Sequence, residues 1–290
     1  MDWYLLALIS AFFSATAAIF EKKILLTEKA LPMTFILGIF NLILSIPFFF
    51  FIDYSALAAS GIIVLLLKSV LGAAAFLCVM QAIKYLEISK ALPMLVLTPG
   101  LVAFFAFIIL GESLGLVEIG GIALLLAGTY VLQLGGRKDI LGPAKSLFSG
   151  RGNYYILAAL LIFTVTSILD KALLKNFKIP LNAFFGFQHL FFALIFLALA
   201  FIFSDMKNLK KTFQVSWKFI GALALITIVY RYSHLAAVKI APVALVLSIK
   251  RMSVFFAVLI GGTYFKDCNL LRRVIATAMM VIGAILIILN

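Results

Sequence analysis

The sequence predicts an all-α integral membrane protein, with ten transmembrane helices arranged as two inverted five-helix repeats. Three observations carry that expectation. The 290 residues are 65% hydrophobic and only 12% charged, with a mean hydropathy of +1.22, about half the charged share a soluble domain uses to wet its surface. The apolar runs are about 20 residues long, the length a helix needs to cross the hydrocarbon core of a bilayer. Charged residues, although rare, recur in matching register in the two halves of the chain.

Long unbroken runs select helices over a barrel, because lipid leaves no solvent partner for a bare backbone N–H or C=O. The 29 Phe and 19 Gly suit spans in which bulky residues face acyl chains and small ones let backbones approach. Helices are expected at roughly 3–22, 32–52, 61–83, 91–110, 116–134, 153–174, 181–203, 216–238, 242–262 and 270–289. The longest connection contains Gly135-Gly136, Gly142-Pro143 and Gly150-Arg151-Gly152. It divides the chain into a first repeat over 1–134, a connecting loop over 135–152 and a second repeat over 153–290. The first run follows the acidic Asp2 instead of a basic segment and has no small-residue cleavage signal after it, so it reads as a retained span.

The repeat is visible in the rare charges. Lys84 precedes Glu112 by 28 residues, and Lys239 precedes Asp267 by the same interval; Gly128 and Gly283 keep the same offset of 155. Phe20-Glu21-Lys22 matches Leu169-Asp170-Lys171 at an offset of 149, so one six-residue length difference lies between. An odd number of helices per repeat makes the second half enter the membrane from the opposite side. Inverted repeats give a chain two related packings, one open to each side, with a binding site near the midplane.

Several function classes drop out. The formal charge of +13 is scattered as singles and short clusters between apolar segments, unlike the single basic face of a nucleic-acid binder. Cys78 and Cys268 form no CxxC, and no His-rich spacing accompanies them, so neither a disulfide framework, a metal site nor a cofactor is expected. No P-loop, HExxH or GxSxG is present, and no catalytic residue is assigned.

Charge at membrane depth is costly and faces a cavity or a partner by default. Lys250-Arg251 lie eight and nine residues past Pro242, about 12 Å along a helix. They form either an anion site or a structural pairing with acids on other helices. On the eighth helix Tyr230, Arg231, Tyr232 and His234 put Tyr230 with His234, and Arg231 with His234, on one face. Gln188-His189 lie a third of the way into the seventh. These groups either wall a substrate site or hold the bundle together by interhelical hydrogen bonds. Glu21-Lys22 and Asp170-Lys171 are candidates for gating ion pairs within or across the repeats, or for interfacial residues that snorkel. Lys68, Gln81 and Asn41 are further candidates, whereas Glu112 and Asp267 read as end-of-helix residues. Pro93 and Pro99 are expected inside the fourth helix, and Pro242 at the start of the ninth.

The chain resembles the drug/metabolite transporter superfamily in its EamA-type membership over nearly its whole length. The resemblance rests on the five-plus-five arrangement, on Ala91 to Glu112 ending in Leu110-Gly111-Glu112, and on Gly120-Gly121-Ile122-Ala123-Leu124-Leu125-Leu126-Ala127-Gly128. The second copy, Ser253 to Gly262 running to Phe265-Lys266-Asp267, is similar to the family's repeat ending. The resemblance implies a multi-pass carrier of the plasma or inner membrane, exporting amino acids or other metabolites from a central cavity without ATP hydrolysis. Lys250-Arg251 also resembles the adjacent Lys-Arg of the triose-phosphate and nucleotide-sugar translocators, which implies an anionic or phosphorylated solute. The same resemblance implies cytoplasmic termini, while Lys and Arg concentrate in connections after odd-numbered helices, which places those connections inside and the termini outside. The expected partners are therefore a small-molecule substrate and the lipid bilayer. The competing expectations are a flippase for a lipid-linked substrate, a non-transporting membrane sensor or scaffold, and a membrane-embedded enzyme using His189 or His234.

Overall fold

The structure is a computed structural model that describes residues 2–85, 95, 97–134, 151–203, 206–253, 256 and 270–289. Among the described residues the chain is all helical, with ten α-helices, one 3-10 turn at Tyr54–Ala56 and no strand. The helices are α1 (Trp3–Leu25), α2 (Ala30–Phe49), α3 (Ala59–Tyr85), α4 (Thr98–Leu110), α5 (Leu116–Leu134), α6 (Arg151–Lys175), α7 (Leu181–Phe203), α8 (Met206–Ile240), α9 (Val243–Lys250) and α10 (Leu270–Leu289). Six of them, α1, α2, α3, α6, α7 and α8, are long and apolar enough to cross a membrane, and α4, α5 and α10 carry shorter apolar stretches. The chain is a membrane protein by this pattern, with large apolar side chains such as Phe104, Phe107, Ile108 and Ile109 of α4 turned outward and Lys68, Asp170, Lys171 and Gln188 turned inward. Lipid wets the first set, and only the interior offers the second a partner.

Three expected boundaries change. Helix α4 is described from Thr98, with Pro99 in its first turn, where the missing N–H is one that the helix leaves unbonded anyway; Pro99 starts this helix instead of breaking it. Pro93 lies outside the described residues, as do residues 135–150 of the connecting loop. Helix α8 begins ten residues before the expected 216 and runs for 35 residues, about 52 Å at 1.5 Å per residue, well beyond a hydrocarbon core of about 30 Å. Its polar first turns contain no Gly or Pro to stop the ladder. Helix α9 was expected over 242–262, yet its regular ladder ends at Lys250. There Arg251 N–H bonds Leu247 O at 3.0 Å and Met252 N–H tightens to Ile249 O at 3.0 Å.

The most extensive helix contacts run between the halves: α5 with α10, α1 with α8, α3 with α6, and α2 with α7, followed by α2 with α8 and α3 with α7, then α4 with α6, α1 with α9 and α4 with α9. Exchanging each helix for the one five places later maps this set onto itself. Glycine sets the tightest of these crossings. A Cβ added to Gly121 would lie 2.8 Å from Gly283 O, one added to Gly283 would lie 2.7 Å from Gly121 O, and one added to Gly128 would lie 2.8 Å from Ala276 O. Residue numbers rise on α5 as they fall on α10, so these two helices cross antiparallel at backbone contact distance, as small residues permit in lipid.

Candidate functional site

A cavity of about 200 Å³ lies among α1, α2, α3, the first residue of α4, α6, α7, α8 and α9, drawing on both halves of the chain. Of the candidate site residues, Glu21, Asp170, His189, Tyr230, Arg231, His234, Lys250 and Arg251 line it, with Lys68 and Asn41. Lys22, Lys171 and Gln188 are not among its lining residues.

The polar interior divides into two groups. In the first, Lys68 of α3 meets Asp170 of α6, Nζ to Oδ1 2.6 Å, both side chains nearly free of solvent. Gln188 of α7 supports the same ammonium: with its amide oxygen facing the cations it accepts from Lys68 Nζ and from Arg231 Nη2, each at 2.9 Å. Arg231 also lies over the Phe192 ring, 5.7 Å from its centroid, and Lys68 over Phe184 at 5.0 Å, where the ring quadrupole attracts a cation. Gln188 thus stands behind two cavity cations and orients them. Asp170 pairs across the halves with Lys68, and Glu21 makes no ion pair among the described residues.

The α8–α9 wall differs. Lys250 lies over the Tyr230 ring at 5.4 Å, and Arg251 Nε and His234 Nδ1 are buried with no hydrogen-bond partner among the described residues. Lys250 is the last residue of α9 and Arg251 its C-cap, so both cations sit at the carbonyl end of a helix, where the peptide dipoles favour positive charge. Tyr230 and His234 share the face predicted from their spacing. Tyr232 points elsewhere, packing on Phe48 and Phe185 and donating to Asn182 Oδ1 at 3.4 Å. His189 sets its ring edge-on to Phe185 at 4.4 Å.

Away from the cavity, Lys171 and Glu112 form a second buried cluster. Lys171 Nζ donates to Val238 O at 2.8 Å and Ala241 O at 2.6 Å, the carbonyls that end α8, and lies 3.6 Å from Glu112 Oε1. Glu112 Oε2 accepts from Val243 N–H at 3.1 Å, the first amide of α9. Gly111, with φ 64° at the end of α4, turns the chain so that Glu112 arrives there; an L side chain strains at that φ. Glu112 is an end-of-helix residue as its position suggested, but the helix it caps is α9 of the other half. Asp267, its counterpart by register, lies outside the described residues, and of the segment 253–267 only Ser253 and Phe256 are described.

One buried acid escaped the sequence reading. Glu28, between α1 and α2, accepts from Thr212 Oγ1 at 2.5 Å and Ser216 Oγ at 3.1 Å, both on α8. It lies between the first two expected helices, and the unexpected length of α8 brings Thr212 within its reach.

Comparison with known proteins agrees with this architecture. A solved chain described only as "Crystal structure of protein" superposes with a TM-score of 0.75 over 99% of this chain and 96% of its own, at 18% sequence identity, a likeness of fold. No curated protein matches the sequence. Residues 1–134, the stretch that ends with α5, match the EamA-like transporter family. That match makes the first part of the chain, a little under half of its length, similar to the EamA-like transporters.

Proposed function

We propose that the chain is a secondary carrier that moves a small polar or anionic metabolite across the plasma or inner membrane by alternating access. Its ten helices form two inverted five-helix repeats, 1–134 and 153–290, and perform no catalytic step. The observation that carries this reading is a charged cavity between the halves, walled by Lys68, Asp170, Arg231, Lys250 and Arg251. Membrane proteins that only scaffold have no reason to keep such charge at depth, whereas a carrier needs it to replace the water its solute leaves behind.

The inversion is supported by the antiparallel crossing of α5 and α10. Register places Gly128 opposite Gly283, and Gly121 opposite Ala276, in the two repeats. The contact of Gly128 with Ala276 and that of Gly283 with Gly121 are then one contact repeated by a two-fold axis. Such an axis gives the carrier a second packing, with the roles of the halves exchanged, that opens the cavity to the other side.

The cavity's size argues against a lipid-linked substrate. At about 200 Å³ it falls below the roughly 300 to 1,000 Å³ of drug-sized ligand sites, a space for a metabolite of a few carbons. The test is counterflow in proteoliposomes loaded with amino acids, organic acids or phosphorylated solutes. One class is expected to exchange, and Arg251→Gln to abolish exchange while the protein stays folded. Binding of solute with no counterflow from either face would favour a sensor and end the carrier reading.

A further inference from the structure

Helix α8 is about 22 Å longer than the hydrocarbon core it crosses, and the excess lies at its first turns. From Lys239, the cation of its last turn, back to Phe219 is about 30 Å of helix, enough to cross that core. Helix α1 reaches the same level from the other half of the chain: Lys23 Nζ lies over the Phe219 ring, 4.4 Å from its centroid. Beyond that level α8 exposes Lys210, Lys211, Phe213, Val215, Trp217 and Lys218, and the α1–α2 turn exposes Leu26 and Lys29.

The two elements are tied together from beneath. Glu28 accepts from Thr212 Oγ1 at 2.5 Å and from Ser216 Oγ at 3.1 Å. This carboxylate is buried, and it is the one acid between Lys22 and Ala30 or anywhere along α8. Five exposed lysines, Lys23, Lys29, Lys210, Lys211 and Lys218, therefore gather at this end with no exposed acid on the elements that carry them. Scattered cations suffice to orient a membrane protein. Lysines drawn from both halves and held by a buried tie form a surface.

We propose that this end of the chain is a docking surface for the anionic headgroups of phospholipids in the leaflet it meets, a reading independent of what the cavity carries. Lys210 and Lys211 lie about 12 Å beyond Phe219 along the helix. The headgroup layer outside the core takes up about 5 to 7 Å of that, so both ammonium groups remain within a Debye length of about 8 Å of the phosphates. Lys23 and Lys218 stand at the layer itself. Trp217 is exposed at the same depth, where indoles settle among headgroups, with Lys218 Nζ 5.8 Å from its ring centroid. A soluble anion has no contact to make with Leu26, Phe213 and Trp217, whereas a lipid presents acyl chains to them and its phosphate to the lysines. A lipid held by both elements joins the two halves and stabilises the folded chain.

Melting temperature of the full chain is followed in mixed micelles of a neutral detergent and phosphatidylcholine, as phosphatidylglycerol replaces the phosphatidylcholine. A saturable rise that shrinks with added salt is expected. Lys29→Gln should weaken the apparent affinity for phosphatidylglycerol about fivefold, and Lys210→Gln with Lys211→Gln about 25-fold, at about fivefold per lysine. In phosphatidylcholine alone both variants should melt as the wild type does. Lys175→Gln with Lys239→Gln removes the same charge from exposed lysines at the far end of the molecule and should leave the wild-type response. An equal loss in the two double variants would mean attraction to net charge alone and would overturn the docking surface, as would the absence of any rise in the wild type. Glycerol phosphate or polyglutamate matching the effect of phosphatidylglycerol would make the occupant a soluble anion or an acidic protein and overturn it as well.

Discussion

Two buried polar regions lie in the same molecule and are finished to different degrees. At the α8–α9 corner each charge is matched: Lys171 spends its protons on Val238 O, Ala241 O and Glu112, and Glu112 spends its second oxygen on Val243 N–H. On the cavity wall a few residues further on, Arg251 Nε and His234 Nδ1 have no hydrogen-bond partner among the described residues, and Lys250 leans on an aromatic ring. A buried polar group without a partner costs free energy. A fold able to satisfy one cluster so fully has no structural reason to leave the next one open, and the open one faces a cavity. On the carrier reading, the difference separates charge kept for architecture from charge kept for a ligand, and substitutions can attack that separation from both ends.

The largest loss of stability is expected at the satisfied corner. Lys171→Met leaves the Glu112 carboxylate buried with only one amide and frees the two carbonyls that end α8. Breaking a buried pair from one side costs about 4 kcal/mol, seen as a clear fall in melting temperature and in yield. If Lys171→Met were as stable as wild type and lost only transport, the corner would belong to the functional machinery and the comparison would collapse.

Next comes the α5–α10 crossing, which involves no charge and serves as a steric control. Gly283→Leu drives a side chain into Gly121 O and the Leu125 amide, atoms already 2.7 and 2.9 Å from an added Cβ. Backbone has to move, at about 3 kcal/mol. Gly120, whose Cβ would meet nothing within 4 Å, should accept Ala with almost no change by the same melting assay.

The Lys68–Asp170 pair lies between the two extremes, in the cavity yet paired. Asp170→Asn alone leaves Lys68 with the Gln188 oxygen and the Phe184 ring and no carboxylate among its contacts, and a cost of about 2 to 3 kcal/mol is expected. A double-mutant cycle with Lys68→Met should recover much of it, since two neutral side chains need no counter-charge. Additive losses would mean that the pair is not coupled.

Which parts of this were legible in the sequence follows from what one chain can encode locally. Long apolar runs are local signals, and the all-helical chain they imply is what the described residues form. Tyr230 and His234 were placed on one face by spacing alone, and both line the cavity. Partner choice was less readable. Asp170 was a candidate for an ion pair within or across the repeats, with no partner specified, and takes Lys68, one of the further candidates; Lys171 takes Glu112, which read as an end-of-helix residue. Both pairings join residues about a hundred or sixty positions apart, and nothing in the local pattern specifies which helices meet. Gln188 resembled a wall residue and lies behind the wall, because a periodic pattern gives the face of a helix but not the depth of its neighbours.

The smallest effect is expected where the functional loss is greatest. Arg251→Gln removes a guanidinium whose Nε has no hydrogen-bond partner among the described residues and whose neighbour Lys250 has the same sign. No ion pair among the described residues is broken and one repulsion is relieved, so stability should stay within about 1 kcal/mol of the wild type, with any change toward greater stability. The contrast with Lys171→Met is the measurable point: two cations of the polar interior replaced by neutral side chains, one at a corner expected to fall apart and one on a wall expected to hold. Melting curves of the two variants in the same detergent decide it. A loss at Arg251 as large as that at Lys171 would mean that the wall, too, is architecture.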